Sequence, residues 1–127
     1  MTEPVVPAGP TGPTISTHVL DTERGQPAAG VHVTLYKLGE DGRPIRLTQA
    51  LTDGDGRVRD LLERPLTPGD YRPEFTLARE RADPDGPDEG DRFFRRLSID
   101  LRIADVGRSY HVPLLLAPYS LTTYRGS

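Results

Sequence analysis

The chain has 127 residues, 35% of them hydrophobic, which is enough for one compact core and too little for two. Lys and Arg number 16 against 19 Asp and Glu, a net charge of -3 with no basic cluster, so neither nucleic acid nor an anionic membrane surface is the expected partner. There is no cysteine, which excludes disulfides and thiolate zinc sites; no apolar run approaches the roughly 18 residues of a membrane span, and residues 1–13 lack the basic and apolar regions of a signal peptide, so a cytoplasmic location is expected.

Residues 1–13 hold four prolines and two glycines and bury too little apolar surface to offset ordering entropy; they read as a flexible leader before one domain at 14–127. At 14–20, Ile15, Thr17 and Val19 alternate with Ser16, His18 and Leu20, the pattern of a half-buried strand. Turn residues follow at 21–30. Val31, Val33 and Leu35 then alternate with His32, Thr34 and Tyr36, and the turn at 39–44 predicts a hairpin with a weaker strand over 45–52. Asp53-Gly-Asp-Gly56 is a tight loop that leaves Arg57 at its edge. Residues 70–77 alternate as a strand, with Pro73 pointing to an edge or a bulge because it has no N–H to donate. One or two helical turns are expected over 78–82, followed by a solvated acidic loop over 83–91. Leu97, Ile99, Leu101 and Ile103 alternate with Arg96, Ser98, Asp100 and Arg102 in the clearest strand of all. The last run begins at Ser109 and continues to Ser127, where Tyr124, Arg125, Gly126 and Ser127 form an ordered, hydrogen-bonding end. The expected fold is all-β, a two-sheet antiparallel sandwich of seven to eight strands with one short helix.

Strand periodicity also groups candidate site residues. His18 shares a face with Ser16 and Leu20, and His111 shares one with Pro113 and Leu115, each opposite the core residues of its strand. If the two strands pair in one sheet, both imidazoles converge on its outer face. His32 has no such company and reads as a surface histidine. Asp53 and Asp55 lack the third acidic position and the later glutamate of a calcium loop, so a plain turn is expected; a zinc site on His18 and His111 would want a third ligand.

The segments Ser16-Thr-His-Val-Leu-Asp21, Gly25-Gln-Pro-Ala-Ala-Gly30, Asp55-Gly-Arg57, Tyr110-His-Val-Pro-Leu-Leu-Leu-Ala-Pro-Tyr-Ser120 and Tyr124-Arg-Gly-Ser127 together resemble the 5-hydroxyisourate hydrolases, the transthyretin-related family of purine breakdown. The resemblance runs in order from about residue 14 to 127. Leu121 and Thr122 depart from the Tyr-Ser pair common in that family, and Pro73 and the acidic loop are atypical. It implies a transthyretin-like sandwich assembled as a homotetramer, a dimer of dimers with sites in a channel between facing sheets. It implies catalytic roles for His18, Arg57, His111 and Ser127, substrate contacts from Tyr124, Arg125 and Gly126, no metal and no cofactor. The implied reaction is hydrolysis of 5-hydroxyisourate to 2-oxo-4-hydroxy-4-carboxy-5-ureidoimidazoline, a cyclic amide C–N cleavage in urate degradation.

Such a reaction needs an activated water, a proton for the departing ring nitrogen and stabilisation of charge on an oxygen. Histidine, with an ordinary pKa of about 6.5, serves either side of neutrality, and Arg57 and Arg125 offer fixed donors to an electron-rich ring. A small-molecule carrier without catalysis and a sandwich that only mediates assembly remain open at this point, since fold does not choose among them.

Overall fold

Each strand forms where β-branched and large apolar residues alternate with polar ones, and stops where Gly, Pro or Asp intervene. The computed structural model describes residues 12–78 and 92–126. Within them the strands are β1 (Ile15–Asp21), β2 (Gln26–Pro27), β3 (His32–Leu38), β4 (Pro44–Leu51), β5 (Arg57–Val58), β6 (Gly69–Thr76), β7 (Arg96–Ser98), β8 (Leu101–Ile103), β9 (Tyr110–Ala117) and β10 (Ser120–Thr123). One sheet runs β10-β9-β1-β2, with β5 also paired to β1; the other runs β4-β3-β6-β7, with β8 also paired to β6.

The expected all-β sandwich of two sheets is what forms, with three differences. Ten strand segments stand where seven to eight were expected, because β2 and β5 share the free edge of β1 and β7 and β8 share that of β6. The pairing is antiparallel except between β1 and β9, which run parallel over seven residues from Ile15↔Tyr110 to Asp21↔Leu116. There is no helix among the described residues; the helical turns expected over 78–82 fall, beyond Ala78, outside them, as do the acidic loop and all of the leader except Gly12 and Pro13. No helix is long and apolar enough to cross a membrane among the residues described.

Pro73 lies in neither an edge strand nor a bulge of its own strand. It is in the middle of β6, opposite Leu35 of β3, and its carbonyl accepts the Ile99 N–H at 3.1 Å. Its missing donor therefore faces the side on which the neighbouring chain breaks, between β7 and β8. That break splits the continuous strand expected over 96–103, although the burial alternation of Leu97, Ile99, Leu101 and Ile103 against their polar neighbours survives it. Side-chain contacts on the outer face, Ser98 of β7 donating to Glu74 at 3.1 Å, Arg72 to Asp100 in the break at 2.6 Å and Arg102 of β8 to Asp70 at 2.5 Å, pin both halves to β6. Being solvent-exposed, they set register more than they add stability.

The core between the sheets is built from Ile15 and Val19 of β1, Val33 and Leu35 of β3, Tyr71 and Phe75 of β6, Ile103 of β8, and Leu114 and Leu116 of β9, with Leu61 and Leu62 closing one end. Thr17 is buried among them, and its hydroxyl donates to the Val112 carbonyl at 2.6 Å, so the polar atom costs nothing. Leu114 has no exposed surface and sits in the same strand as His111. Replacing Leu114 by Ala is expected to destabilise the fold by about 2–5 kcal/mol, read as a lowered denaturation midpoint; an unchanged midpoint would mean that β9 is not packed as described.

Candidate active site

The outer face of the β10-β9-β1 sheet is where the alternation leaves polar residues. Ser16 and His18 project from β1, flanked by the buried Ile15, Thr17 and Val19. The parallel register sets Ser16 opposite His111 and His18 opposite Pro113, while the short antiparallel pairing of β5 sets Arg57 opposite His18. Register partners share a face of the sheet, so His18, Arg57, His111 and Ser16 gather on one patch; the convergence of the two imidazoles is the one expected from their strand phases.

Arg57 is delivered by a tight turn. The Asp53 carboxylate accepts the N–H groups of Asp55 and Arg57, both at 2.9 Å, and the Asp53 and Arg57 backbones bond to each other at 2.9 Å. These contacts, led by the Arg57 N–H and helped by the Arg59 and Arg57 charges, hold the Asp53 carboxyl below its ordinary value of 3.8. The carboxylate is thus occupied by backbone donors, as a plain turn requires. Gly56 adopts φ +77°, and a Cβ there would lie 2.4 Å from the Val19 carbonyl oxygen, so only glycine lets β5 close on β1. Its carbonyl in turn accepts the Val19 N–H at 2.7 Å.

His111 is held from both neighbouring strands' sides. Its Nδ1 is 2.8 Å from the Ser16 hydroxyl, and its carbonyl accepts the Gly126 N–H at 2.7 Å. After the turn at Pro118 and Tyr119, β10 returns antiparallel along β9 and carries the chain back until Gly126 bridges His111. A Cβ on Gly126 would fall 2.7 Å from His111 Cδ2, so the glycine is required by the ring. The last nineteen residues are therefore two strands and a return segment, where the sequence pattern reads as a single run. Burial, then the Arg57 charge, then His18 push the His111 imidazole below its ordinary 6.5.

An open pocket of about 250 Å³ is lined by Ser16, Thr17, Arg57, Val58, Arg59 and His111. His18 stands beside it, across from Arg57, and not in its lining. Tyr124 and Arg125 are exposed and turn away from it, lining a hollow with Leu101, Ile103, Tyr110 and Val112 at the open edge between the sheets. Within one chain, then, His18, Arg57 and His111 come together with Gly126, Tyr124 and Arg125 do not join them, and Ser127 lies outside the described residues. Three apolar neighbours share this face: Pro113 is buried within the chain itself, while Leu20 and Leu115 are half-buried. Sequence reasoning missed Ser16, Asp53 and Arg59. Period-two spacing was the available signal for two of them, Ser16 two residues before His18 and Arg59 two after Arg57. Among the described residues no group of three His, Cys, Asp or Glu side chains is close enough to hold a metal ion.

Because the folded protein disfavours charged His111, this residue supports the fold near neutral pH, and that contribution is lost as pH falls from the ordinary value through the depressed one. Replacing Arg57 by Gln is expected to raise the His111 pKa toward 6.5, read by NMR titration of the imidazole. A pKa that stays put in that variant would show that the Arg57 charge does not act on the ring.

Residues 15–126 match the model of the HIUase/Transthyretin family. The chain is 40% identical over 123 residues to the 5-hydroxyisourate hydrolase of Deinococcus radiodurans, covering 91% of this chain and 97% of that protein. The structure of Klebsiella pneumoniae 5-hydroxyisourate hydrolase matches with a TM-score of 0.72 at 35% identity, over 91% of this chain and 99% of that one. Sea bream transthyretin in complex with thyroxine matches with a TM-score of 0.73 over 88% of this chain and 93% of that one, at 24% identity, a likeness of fold alone. From the parallel β1/β9 pair to the return of Gly126, the chain belongs to the HIUase/Transthyretin family.

Proposed function

We propose that the protein hydrolyses 5-hydroxyisourate to 2-oxo-4-hydroxy-4-carboxy-5-ureidoimidazoline, without a metal, by histidine acid-base chemistry at the patch of His18, Arg57 and His111. The observation that carries this reading is the convergence of two imidazoles and a guanidinium on one sheet face, two of the three lining a single pocket. One imidazole removes a proton from water as its oxygen bonds to the ring carbonyl carbon. The other protonates the ring nitrogen as the C–N bond breaks, leaving a carboxylate and a ureido group. Arg57 offsets the charge on the carbonyl oxygen between these events. The lowered affinity of His111 for protons keeps it in the neutral form a base needs at physiological pH.

The Gly126 contact with His111 supports a place for the terminal residues in the same site, with Tyr124, Arg125 and Ser127 binding substrate or water where chains meet. The half-buried Leu20 and Leu115 beside the patch favour its being covered by a facing sheet, as in a homotetramer built as a dimer of dimers. Such a cover would exclude water and strengthen the charge interactions inside.

His18→Ala and His111→Ala are each expected to slow the absorbance decay of freshly generated 5-hydroxyisourate by about two to four orders of magnitude, while His32→Ala leaves it unchanged. Deleting residues 125–127 is expected to abolish turnover with assembly retained. Full activity in both site-histidine variants, with the fold intact, would overturn the assignment.

A further inference from the structure

Three contacts grip His111, and they do different things. The Gly126 N–H on its carbonyl and the close approach of Gly126, which leaves no room for a Cβ beside the ring, set where the imidazole lies. Only the third, the Ser16 hydroxyl 2.8 Å from Nδ1, touches an atom that can carry the proton. With Nδ1 engaged by β1, Nε2 is the ring nitrogen left for a bound molecule.

A neutral imidazole has one N–H and one lone pair, and the partner on one nitrogen decides what the other can do. If the Ser16 oxygen accepts Nδ1–H, Nε2 presents a lone pair and can act as a base. If the hydroxyl donates instead, Nε2 carries the proton and cannot. The surroundings favour the first arrangement. Arg57 and Arg59, both permanent cations, line the same pocket, and a lone pair directed toward cations is favoured over an N–H so directed. Among the described residues the Ser16 hydroxyl has no other hydrogen-bond partner, so nothing competes for its lone pairs. A hydroxyl, unlike a carboxylate, orients the ring without adding a negative charge that would favour the imidazolium.

We propose that Ser16 is a positioning residue that accepts the Nδ1–H of His111, so selecting the tautomer whose Nε2 lone pair faces the pocket and takes the proton from water. The inference rests on the hydrolase reading and deepens it by assigning the base. The proton balance is simple: water loses a proton to Nε2 as its oxygen bonds to the carbonyl carbon, the resulting imidazolium keeps its Nδ1–H on Ser16, and His18 supplies the proton that leaves with the ring nitrogen. Proton exchange with solvent, or return of the Nε2 proton, resets the pair.

The test uses the full chain with ¹⁵N-labelled histidine and four forms of residue 16. In the wild-type protein, His111 Nδ1 is expected to resonate as a protonated nitrogen and Nε2 as an unprotonated one. Ser16→Ala is expected to reverse this toward the Nε2–H form that a free side chain prefers, and to lower kcat about 10- to 100-fold, the size of effect that loss of the hydrogen-bond partner of a metal-bound imidazole has, with KM within about twofold. Ser16→Thr and Ser16→Val have nearly the same shape and both suit a strand, but only Thr keeps the hydroxyl; Thr is expected to recover most of kcat and Val none. An unprotonated Nδ1 in the wild type, or equal kcat in the Thr and Val forms, would overturn the proposal. If no form turns over 5-hydroxyisourate, the hydrolase reading fails, yet the nitrogen assignments still decide what Ser16 does.

Discussion

The structure depends on one pairing, that of β1 with β9, which joins segments 95 positions apart in parallel. Parallel strands need a long connection, and here nearly the whole domain is that connection. Because side chains alternate with a period of two, a slip of one residue in this register would turn Ser16 and His18 inward and bring Thr17 and Val19 out. The slip is opposed from both sides. Ile15, Val19 and Leu114 have no exposed surface, and the Thr17 hydroxyl is bonded to the Val112 carbonyl. Apolar burial thus fixes the core, and the same register fixes the site on the opposite face.

Much of this was legible in the chain. The strand phases of residues 14–20 and 110–117 put His18 and His111 on outer faces, and only their pairing had to be supplied by the fold. What could not be read was anything set by a neighbour distant in sequence. Pro73 looks like an edge residue because a proline has no donor to give, but the donor is dispensable in a central strand whose neighbour breaks at that point. The run over 96–103 alternates as a single strand, and the interruption at Ile99 and Asp100 falls beside Pro73 of β6, which accepts the Ile99 N–H and has none to return. The return of Gly126 onto His111 leaves no periodic signal, since it is a single bridge and not a strand.

The site's electrostatics follow from its composition. Two histidines and two arginines on one patch, with the Asp53 carboxylate turned to backbone donors, make a setting that disfavours further positive charge. That is a setting for a neutral His111. The turn holding Arg57 and the hydroxyl holding His111 are both local, rigid devices, and each spares the functional group from adopting many conformations before it can act.

In the proposed reaction, the patch of His18, Arg57 and His111 receives a urate-like ring. The chain has three histidines, and the third, His32, lies on β3 in the opposite sheet, so the imidazole signals themselves report where a ligand sits. Titrating the protein with urate while following the three imidazoles by NMR locates the ligand. Saturable shifts at His18 and His111 with His32 unmoved are expected; shifts at His32 alone, or none at any histidine under saturating urate, would rule the patch out as the binding site.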